Sequence, residues 1–304
     1  MDLRQLAALT AVADHHSFSA AARALHTVQS NVSTHVARLE RELRVPLVER
    51  STGNLTEAGA LVVARARRIQ GELESLVSDV ASSVDQISGA VRLGMIGTTG
   101  RWLVPVLLEA VSRAYPRIQL VVVDATTTSL LPQLVTGHLD LSVVNLPIDD
   151  PDVEAEPLFD EDRVLVAPEG HPLAEHDRIT LTELAEHRLI LEPKGTAFRD
   201  LLDQEVLRAG AKLVPLAEVD GLRLVASLAF EGFGPAILPA TAAPSWLEGR
   251  WRRVEVEGIT PRSVGLATRR RVLLSAPGRA VHAVLLDVIA AEAPKHRGLY
   301  VRGT

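Results

Sequence analysis

The stretch Gln29-Ser30-Asn31-Val32-Ser33-Thr34-His35-Val36-Ala37-Arg38-Leu39-Glu40-Arg41-Glu42-Leu43 decides how this chain is read. Val32, Val36, Leu39 and Leu43 recur at three- and four-residue spacing, which places them on one face of a helix starting near Gln29. The opposite face displays Gln29, Ser30, Asn31, Ser33, Thr34, His35 and Arg38. Such short hydrogen-bonding side chains, with one arginine, can pair with base edges and lack the bulk that would hold a helix out of the major groove. An ordinary solvated face would favour Glu and Lys, and residues 1–70 contain no lysine.

Working outward, Leu3, Leu6, Leu9, Val12 and Ala13 predict a first amphipathic helix that ends near Asp14-His15-His16. Ser17 or Ser19 offers a cap to a second helix over residues 19–25, whose Ala20-Ala21-Ala22 run permits close packing, and His26-Thr27-Val28 makes the turn into the third. Two short helices joined by a tight turn, the second polar-faced at its start, form a helix-turn-helix. After it, Val45-Pro46-Leu47-Val48 and Leu55-Thr56 are expected to be strands of a small wing around Arg50-Ser51-Thr52-Gly53-Asn54. Arg50 is placed to reach phosphate or the minor groove; for Thr52 a hairpin touching nothing is an equally good reading.

The 304 residues leave room for two domains. At 47% hydrophobic and 23% charged, the chain can bury real cores. Its net charge of −6 hides an asymmetry: nine arginines against six acids make residues 1–70 +3, so the remaining 234 residues carry −9. A basic front end on an acidic body fits a protein that meets a polyanion at one end only. The absence of a long apolar run and the acid in Met1-Asp2-Leu3-Arg4 argue against a membrane segment or a signal peptide, so a cytoplasmic protein is expected. With no cysteine, disulfides, Cys-zinc sites, thiol nucleophiles and thiol redox switches are excluded.

Between Thr56, a natural N-cap, and Pro105 no proline interrupts the chain. Val62, Ala66, Ile69, Leu73, Leu76, Val80, Ser83 and Ile87 step by four and three, the a/d repeat of a coiled coil, so a linker helix pairing with a second copy is expected. Ser88-Gly89 reads as a hinge between this rod and the body.

Beyond it the period changes. Short β-branched or leucine-rich runs at 91–96, 118–123, 139–144, 164–167, 189–191, 214–219 and 236–238 alternate with helical segments at 104–114, 130–137, 197–209 and 222–230. That alternation predicts an α/β body of βαβ units with mostly parallel sheets, whose ligands sit at the carboxyl ends of the strands. Three polar turns lie there: Ile96-Gly97-Thr98-Thr99-Gly100-Arg101, Asp124-Ala125-Thr126-Thr127-Thr128-Ser129 and Glu192-Pro193-Lys194-Gly195-Thr196-Ala197-Phe198. Each alone could be a helix cap; three at equivalent strand ends predict a shared cleft. Thr98, Thr99, Thr127, Thr128 and Thr196 are the expected hydrogen-bonders, Arg101 the counter-ion and Phe198 an apolar wall, while Asp220, if it faces the cleft, would favour a hydroxylated or cationic occupant. Neither a phosphate-binding GK[ST] loop nor HExxH is present, and Gly232-Phe233-Gly234 lacks the third glycine of a dinucleotide fingerprint. The acidic Asp149-Asp150-Pro151-Asp152 stretch with Glu154 and Glu156 reads as a solvated loop, and no cofactor, metal or enzymatic activity is expected.

With these residues in place, the chain resembles a LysR-type transcriptional regulator. The specific part is Phe18-Ser19-Ala20-Ala21-Ala22-Arg23-Ala24-Leu25-His26, then Gln29, Ser33, Leu39-Glu40-Arg41-Glu42-Leu43, Leu47, Arg50 and Leu55-Thr56-Glu57-Ala58-Gly59. Weaker marks are Gly137-His138-Leu139-Asp140-Leu141, Gly170-His171-Pro172-Leu173 and Gly232-Phe233-Gly234-Pro235-Ala236-Ile237-Leu238-Pro239. Ser30, Asn31, Arg44 and Val48 depart from the family's usual proline, small apolar residue, glycine and phenylalanine. The resemblance implies a winged helix-turn-helix over 1–58, a dimerising linker helix over 59–88 and a two-lobed, periplasmic-binding-protein-like effector domain over 89–294, leaving 295–304 as a mobile tail. It further implies inverted-repeat promoter DNA, a small organic effector, often a carboxylate, a dimer of dimers, and RNA polymerase as a further partner. A solute-binding protein and an enzyme on the same two-lobed body are the rival readings.

Overall fold

A computed structural model describes residues 1–49, 52–84, 87–243 and 247–302. The chain divides into two compact units, one built on Met1–Val77 and the other on Ser78–Val135 and Leu139–Thr304. Among the described residues no helix is long and apolar enough to cross a membrane.

The first unit begins with α1 (Leu3–His15), started by a reciprocal cap between Asp2 and Gln5 and ended by His16 at φ 49°. Ser17, not Ser19, caps α2 (Phe18–Ala24) by accepting from the Ala20 amide. Helix α3 (Gln29–Leu43) buries Val32, Val36 and Leu39 against Leu6, Leu9, Val12, Ala21 and Ala22, so the periodic face forms the core of the module except at its end, where Leu43 stays exposed. The expected wing strands reduce, among the described residues, to a single bridge, Val48 to Leu55, flanked by bonds from the Thr56 amide to the Leu47 carbonyl and from the Glu49 amide to the Asn54 carbonyl, while Glu40 of α3 takes the Leu47 and Val48 amides onto its carboxylate. Arg50, the wing residue expected on DNA, lies outside the described residues. Thr56 caps α4 (Glu57–Val84) through the Gly59 amide. A side chain at Gly59 would begin 2.0 Å from the Leu47 carbonyl oxygen, so only glycine lets α4 pass the wing this closely.

The apolar stripe of α4 serves two purposes. Val63 and Ala66 are buried in the first unit's core, with Val62 packed beside them. Further along, Ile69, Leu73, Leu76 and Val80 are 39%, 41%, 62% and 60% exposed in the single chain.

In the second unit, β1 (Gly89–Met95), α5 (Gly97–Ala114), β2 (Ile118–Asp124), α6 (Thr127–Val135), β3 (Leu141–Leu146) and β4 (Val153–Glu161) build most of lobe one. The chain then crosses at Asp162 into lobe two: β5 (Arg163–Pro168), β6 (Arg178–Thr180), α7 (Leu181–Ala185), β7 (Arg188–Leu191), α8 (Ala197–Arg208), β8 (Val214–Glu218), α9 (Leu222–Phe230), β9 (Ala236–Pro239) and β10 (Trp251–Glu257). It returns through Gly258 to Pro261 into lobe one with β11 (Arg262–Arg269), α10 (Ala276–Glu292) and β12 (Leu299–Val301). The sheet of lobe one runs β12-β4-β11-β3-β1-β2; lobe two holds β6-β10-β5-β9 and the pair β7-β8. Each lobe has its own apolar core, one around Leu93, Leu107, Leu141 and Phe159, the other around Leu165, Leu189, Leu202 and Leu238.

Three expectations for this body are corrected. The sheets are mixed, not mostly parallel: β1 pairs in parallel with β2 and β3, whereas β11 runs antiparallel to β3 and β4, and β5 antiparallel to β9 and β10. The second crossing returns the chain to lobe one in the reverse direction, which sets β11 antiparallel between β3 and β4; in lobe two the antiparallel pairs form within a single passage of the chain. Glu154 and Glu156, expected in a solvated loop, lie on β4, where Glu156 meets His282 of α10. The tail is also not loose up to Arg302: Leu299–Val301 pairs with β4, His296 stacks 4.8 Å from Trp102, and Tyr300 and Arg302 bond Asp162 and Asp160.

Arg44 ends α3 in the left-handed region at φ 57°, a conformation that costs a side-chain-bearing residue about 1 kcal/mol and glycine almost nothing. Because Arg44 is exposed, little contact opposes the relief. Arg44→Gly is expected to stabilise the first unit by roughly 0.5–1 kcal/mol, seen as a rise of about 4 °C in its unfolding midpoint. An unchanged midpoint would show that the Arg44 side chain contributes as much as its backbone costs.

Candidate nucleic-acid interface and ligand cleft

Helix α3 presents Gln29, Ser30, Asn31, Thr34 and Arg38 exposed, with Ser33 and His35 half-buried on its flanks. Local hydrogen bonds hold several of them: Ser19 donates to the Gln29 side-chain oxygen at 2.9 Å, Asn31 donates to Thr27 at 2.9 Å, and Thr34 donates to the Ser30 carbonyl at 2.7 Å. His35 has Nδ1 buried with no partner among the described residues, which sets it apart from the open ridge. Ser19, read from sequence only as a cap, orients Gln29; its place in the first turn of α2 was the available signal. Thr52 bonds the Glu49 carboxylate, a contact internal to the wing.

In the second unit a cavity of about 650 Å³ opens between the lobes, at the carboxyl ends of β1, β2, β7 and β8. Thr98, Thr127, Thr128, Thr196 and Phe198 all line it, and so does Asp220. Two expected residues do not. Thr99 is fully buried in lobe one, and Arg101 lines an adjoining, more apolar cavity of about 510 Å³ with Met95, Val104 and Phe230, which shares Thr98, Asp124, Arg223 and Ser227 with the first. The reason is local: residues 97–101 are already the first turns of α5, so successive side chains diverge by a third of a turn instead of sharing one wall.

The guanidinium in the cleft is that of Arg262, at the start of β11. It is 2% exposed and bonds the Glu161 carboxylate at 2.6 and 3.0 Å, the Thr98 hydroxyl at 2.9 Å and the Asn145 side-chain oxygen at 3.2 Å. The other Glu161 oxygen accepts from the Thr241 amide and hydroxyl at 2.8 and 2.6 Å, so the cluster joins lobe one to lobe two. A second buried pair lies beside it: Arg163 donates to both Glu205 oxygens at 2.5 and 2.6 Å, and Thr260 donates to the same carboxylate. Glu161 and Arg163 flank the first crossover, Thr260 and Arg262 the second. At the mouth, Arg223 of α9 is ion-paired with Asp124 from the end of β2.

Glu192 follows β7 and is 7% exposed on the cavity wall. Burial pushes its carboxyl up to about 7; Asp220 adds to the rise, while Arg262, the Gly221 amide and the Thr196 hydroxyl oppose it. The cleft is thus lined by hydroxyls and carboxyls around guanidiniums already engaged, a lining suited to holding a polar small molecule. Among the described residues no cluster of histidines and carboxylates could hold a metal ion.

Residues 3–60 match the family model "Bacterial regulatory helix-turn-helix protein, lysR family", and residues 85–290 match "LysR substrate binding domain". The chain is 36% identical over 300 residues to the "Probable hydrogen peroxide-inducible genes activator" of Streptomyces viridosporus, covering 98% of this chain and 91% of that one. It is 31% identical over 246 residues to the "DNA-binding transcriptional dual regulator OxyR" of Escherichia coli strain K12, covering 80% and 81%. Among solved structures, full-length OxyR of Pseudomonas aeruginosa with a cysteine-to-aspartate replacement superposes with a TM-score of 0.76 at 28% identity, over 100% of this chain and 99% of that one.

Because the folded state holds the Glu192 proton to about pH 7 and the unfolded chain releases it near 4.5, its burial costs nothing below the lower value. The cost appears as pH rises and reaches about 3 kcal/mol above 7. Glu192→Gln is therefore expected to be more stable than the parent at pH 8 by roughly that amount, with the gap closing toward pH 4.5. Urea unfolding of both proteins across this range checks the sign; a gap that widens on acidification would refute it.

Proposed function

We infer, for a chain that belongs to the LysR family of bacterial transcriptional regulators, that α3 reads promoter DNA and that the cleft of the second unit takes the small molecule that modulates this binding. The observation that carries the first half is the α3 ridge: its apolar face is spent on the core, while Gln29, Ser30, Asn31, Ser33, Thr34 and Arg38 face outward without long charged neighbours of the Lys or Glu type. Arg50 and Thr52 of the wing are proposed as backbone contacts, and His35 as a residue that borders the ridge. We place the protein in the cytoplasm, with the DNA it serves.

The exposed Ile69, Leu73, Leu76 and Val80 stripe supports pairing of two α4 helices, which presents two ridges and fits an inverted repeat. Two such pairs would make the dimer of dimers. Thr98, Thr127, Thr128, Thr196 and Phe198 are proposed as effector contacts. Thr99 is kept as support for Arg262, its hydroxyl lying 3.4 Å from the guanidinium. An effector shifts promoter geometry only as far as it prefers one arrangement of the paired rods over the other. Among the described residues that line the cleft there is no histidine, lysine or tyrosine, and its Ser227 hydroxyl meets only the exposed Glu231 carboxylate, so a regulator is favoured over an enzyme on this body. The relatives' names concern hydrogen peroxide, yet this chain has no cysteine, so a response through thiol oxidation or a disulfide has no chemical basis in it.

A gel-shift titration over a salt series tests the reading. The protein should bind an inverted-repeat duplex from its own promoter region with affinity falling steeply as salt rises. Arg38→Ala should weaken that binding by about tenfold without changing the folded state. Leu73→Glu combined with Leu76→Glu should lower the oligomeric mass and weaken binding to two half-sites far more than to one. Unchanged DNA affinity in Arg38→Ala, or an unchanged mass in the double variant, would refute the assigned surface concerned.

A further inference from the structure

We propose that the cleft selects a cationic head group, an ammonium or a guanidinium, held between Glu192 and Asp220, and discriminates against a carboxylate. The inference rests on the reading of this cleft as the effector site and adds the chemical class of its occupant.

Two guanidiniums reach the cavity wall, and each already has its carboxylate: Arg262 is bound to Glu161 behind the wall, and Arg223 to Asp124 at the mouth. Arg101, the cation expected from sequence to meet an anion, lines the neighbouring cavity. What remains is Glu192 and Asp220. They follow β7 and β8, which are parallel neighbours paired at Leu191 and Glu218, so both acids emerge from adjacent strand ends on the same side of the cavity. An entering carboxylate would meet two like charges in a partly desolvated site, where the buried guanidinium is bound to Glu161 and the exposed one at the mouth already faces Asp124. A cation meets two acceptors of opposite charge, and the hydroxyls of Thr127, Thr128 and Ser227 can serve the polar remainder of the ligand.

Glu192 adds a signature that a merely polar cleft would not show. The groups facing it are Arg262 from β11, Asp220 and the Gly221 amide from the turn before α9, and Thr196 at the head of α8; Asp124 and Arg223 line the same cavity as a mutual pair. Burial, reinforced by Asp220, raises its carboxyl to about 7, so about a tenth of the molecules are ionised there at pH 6 and about nine-tenths at pH 8. If the cation requires the ionised form, apparent affinity rises by up to about tenfold between these pH values, and binding below pH 7 releases a proton.

Ligand-observed NMR titration of the full-length protein with 1-butylammonium, 1-butanol and butyrate, at pH 6 and pH 8, tests this. Butylammonium stays protonated throughout, since its amine resembles that of lysine near 10.4. The expected result is butylammonium bound at least tenfold more tightly than butanol or butyrate, with affinity increasing severalfold from pH 6 to pH 8. Asp220→Asn, at an exposed position, should weaken it by about tenfold; Glu192→Gln should weaken it and flatten the pH dependence. Butyrate bound as tightly as butylammonium would overturn the class while leaving the cleft a ligand site. Affinity for butylammonium that does not change with pH, or is untouched by both substitutions, would overturn the role of the two acids. No binding of any probe by protein that still shifts promoter DNA would overturn the inference and leave the regulator reading standing.

Discussion

The buried ion pair between Glu161 and Arg262 is the constraint on which the second unit depends. A guanidinium 2% exposed is tolerable only with a carboxylate beside it and its other N–H groups bonded, and Glu161, Thr98 and Asn145 provide both. Because Glu161 also accepts two hydrogen bonds from Thr241, the same pair fastens lobe two to lobe one at the point where the chain changes lobes. The Arg163–Glu205 pair repeats the device one residue beyond the crossover. Arg163 keeps its Nη1 buried without a hydrogen-bond partner among the described residues, whereas Arg262 on the cavity wall has every guanidinium nitrogen bonded and its charge already faces Glu161.

The first unit was the most legible in the sequence because its information is local. Val32, Val36 and Leu39 define the core face of α3 at helical spacing, and the polar ridge is its complement on the same fifteen residues. The wing is present as the paired Val48 and Leu55, but the carboxylate of Glu40 that holds two of its amides cannot be seen in a propensity pattern. In the body, helix α9 was read to its boundaries, whereas β4, β10 and β11 were missed. Their apolar positions alternate with Glu, Arg and Thr, as in Val254 and Val256 between Arg253, Glu255 and Glu257, so no continuous apolar run announces them.

The cleft shows the same division between local and distant information. Thr127, Thr128 and Thr196 were found because each sits in a polar turn after an apolar strand. Arg262 was not, because its partners Glu161, Asn145 and Thr98 lie 101, 117 and 164 residues away in sequence, and its meaning exists only once the chain has crossed twice. Arg101 closes the polar turn after β1, but the twist of α5 carries it to the adjoining cavity. Helix α4 adds a related lesson. The stripe is not one seam: Ala66 is buried within the chain with Val62 packed beside it, and the exposed part begins at Ile69.

The most direct test of this account is a double-mutant cycle on the central pair, with Glu161→Met, Arg262→Met and both together compared by equilibrium urea unfolding. The account predicts that each single substitution, by leaving one buried charge alone, costs about 3–5 kcal/mol, and that the double variant costs less than their sum by about 2 kcal/mol or more. Additive single effects would contradict it, since they would mean that Arg262 does not spend its charge on Glu161 and that the cleft is held by other contacts.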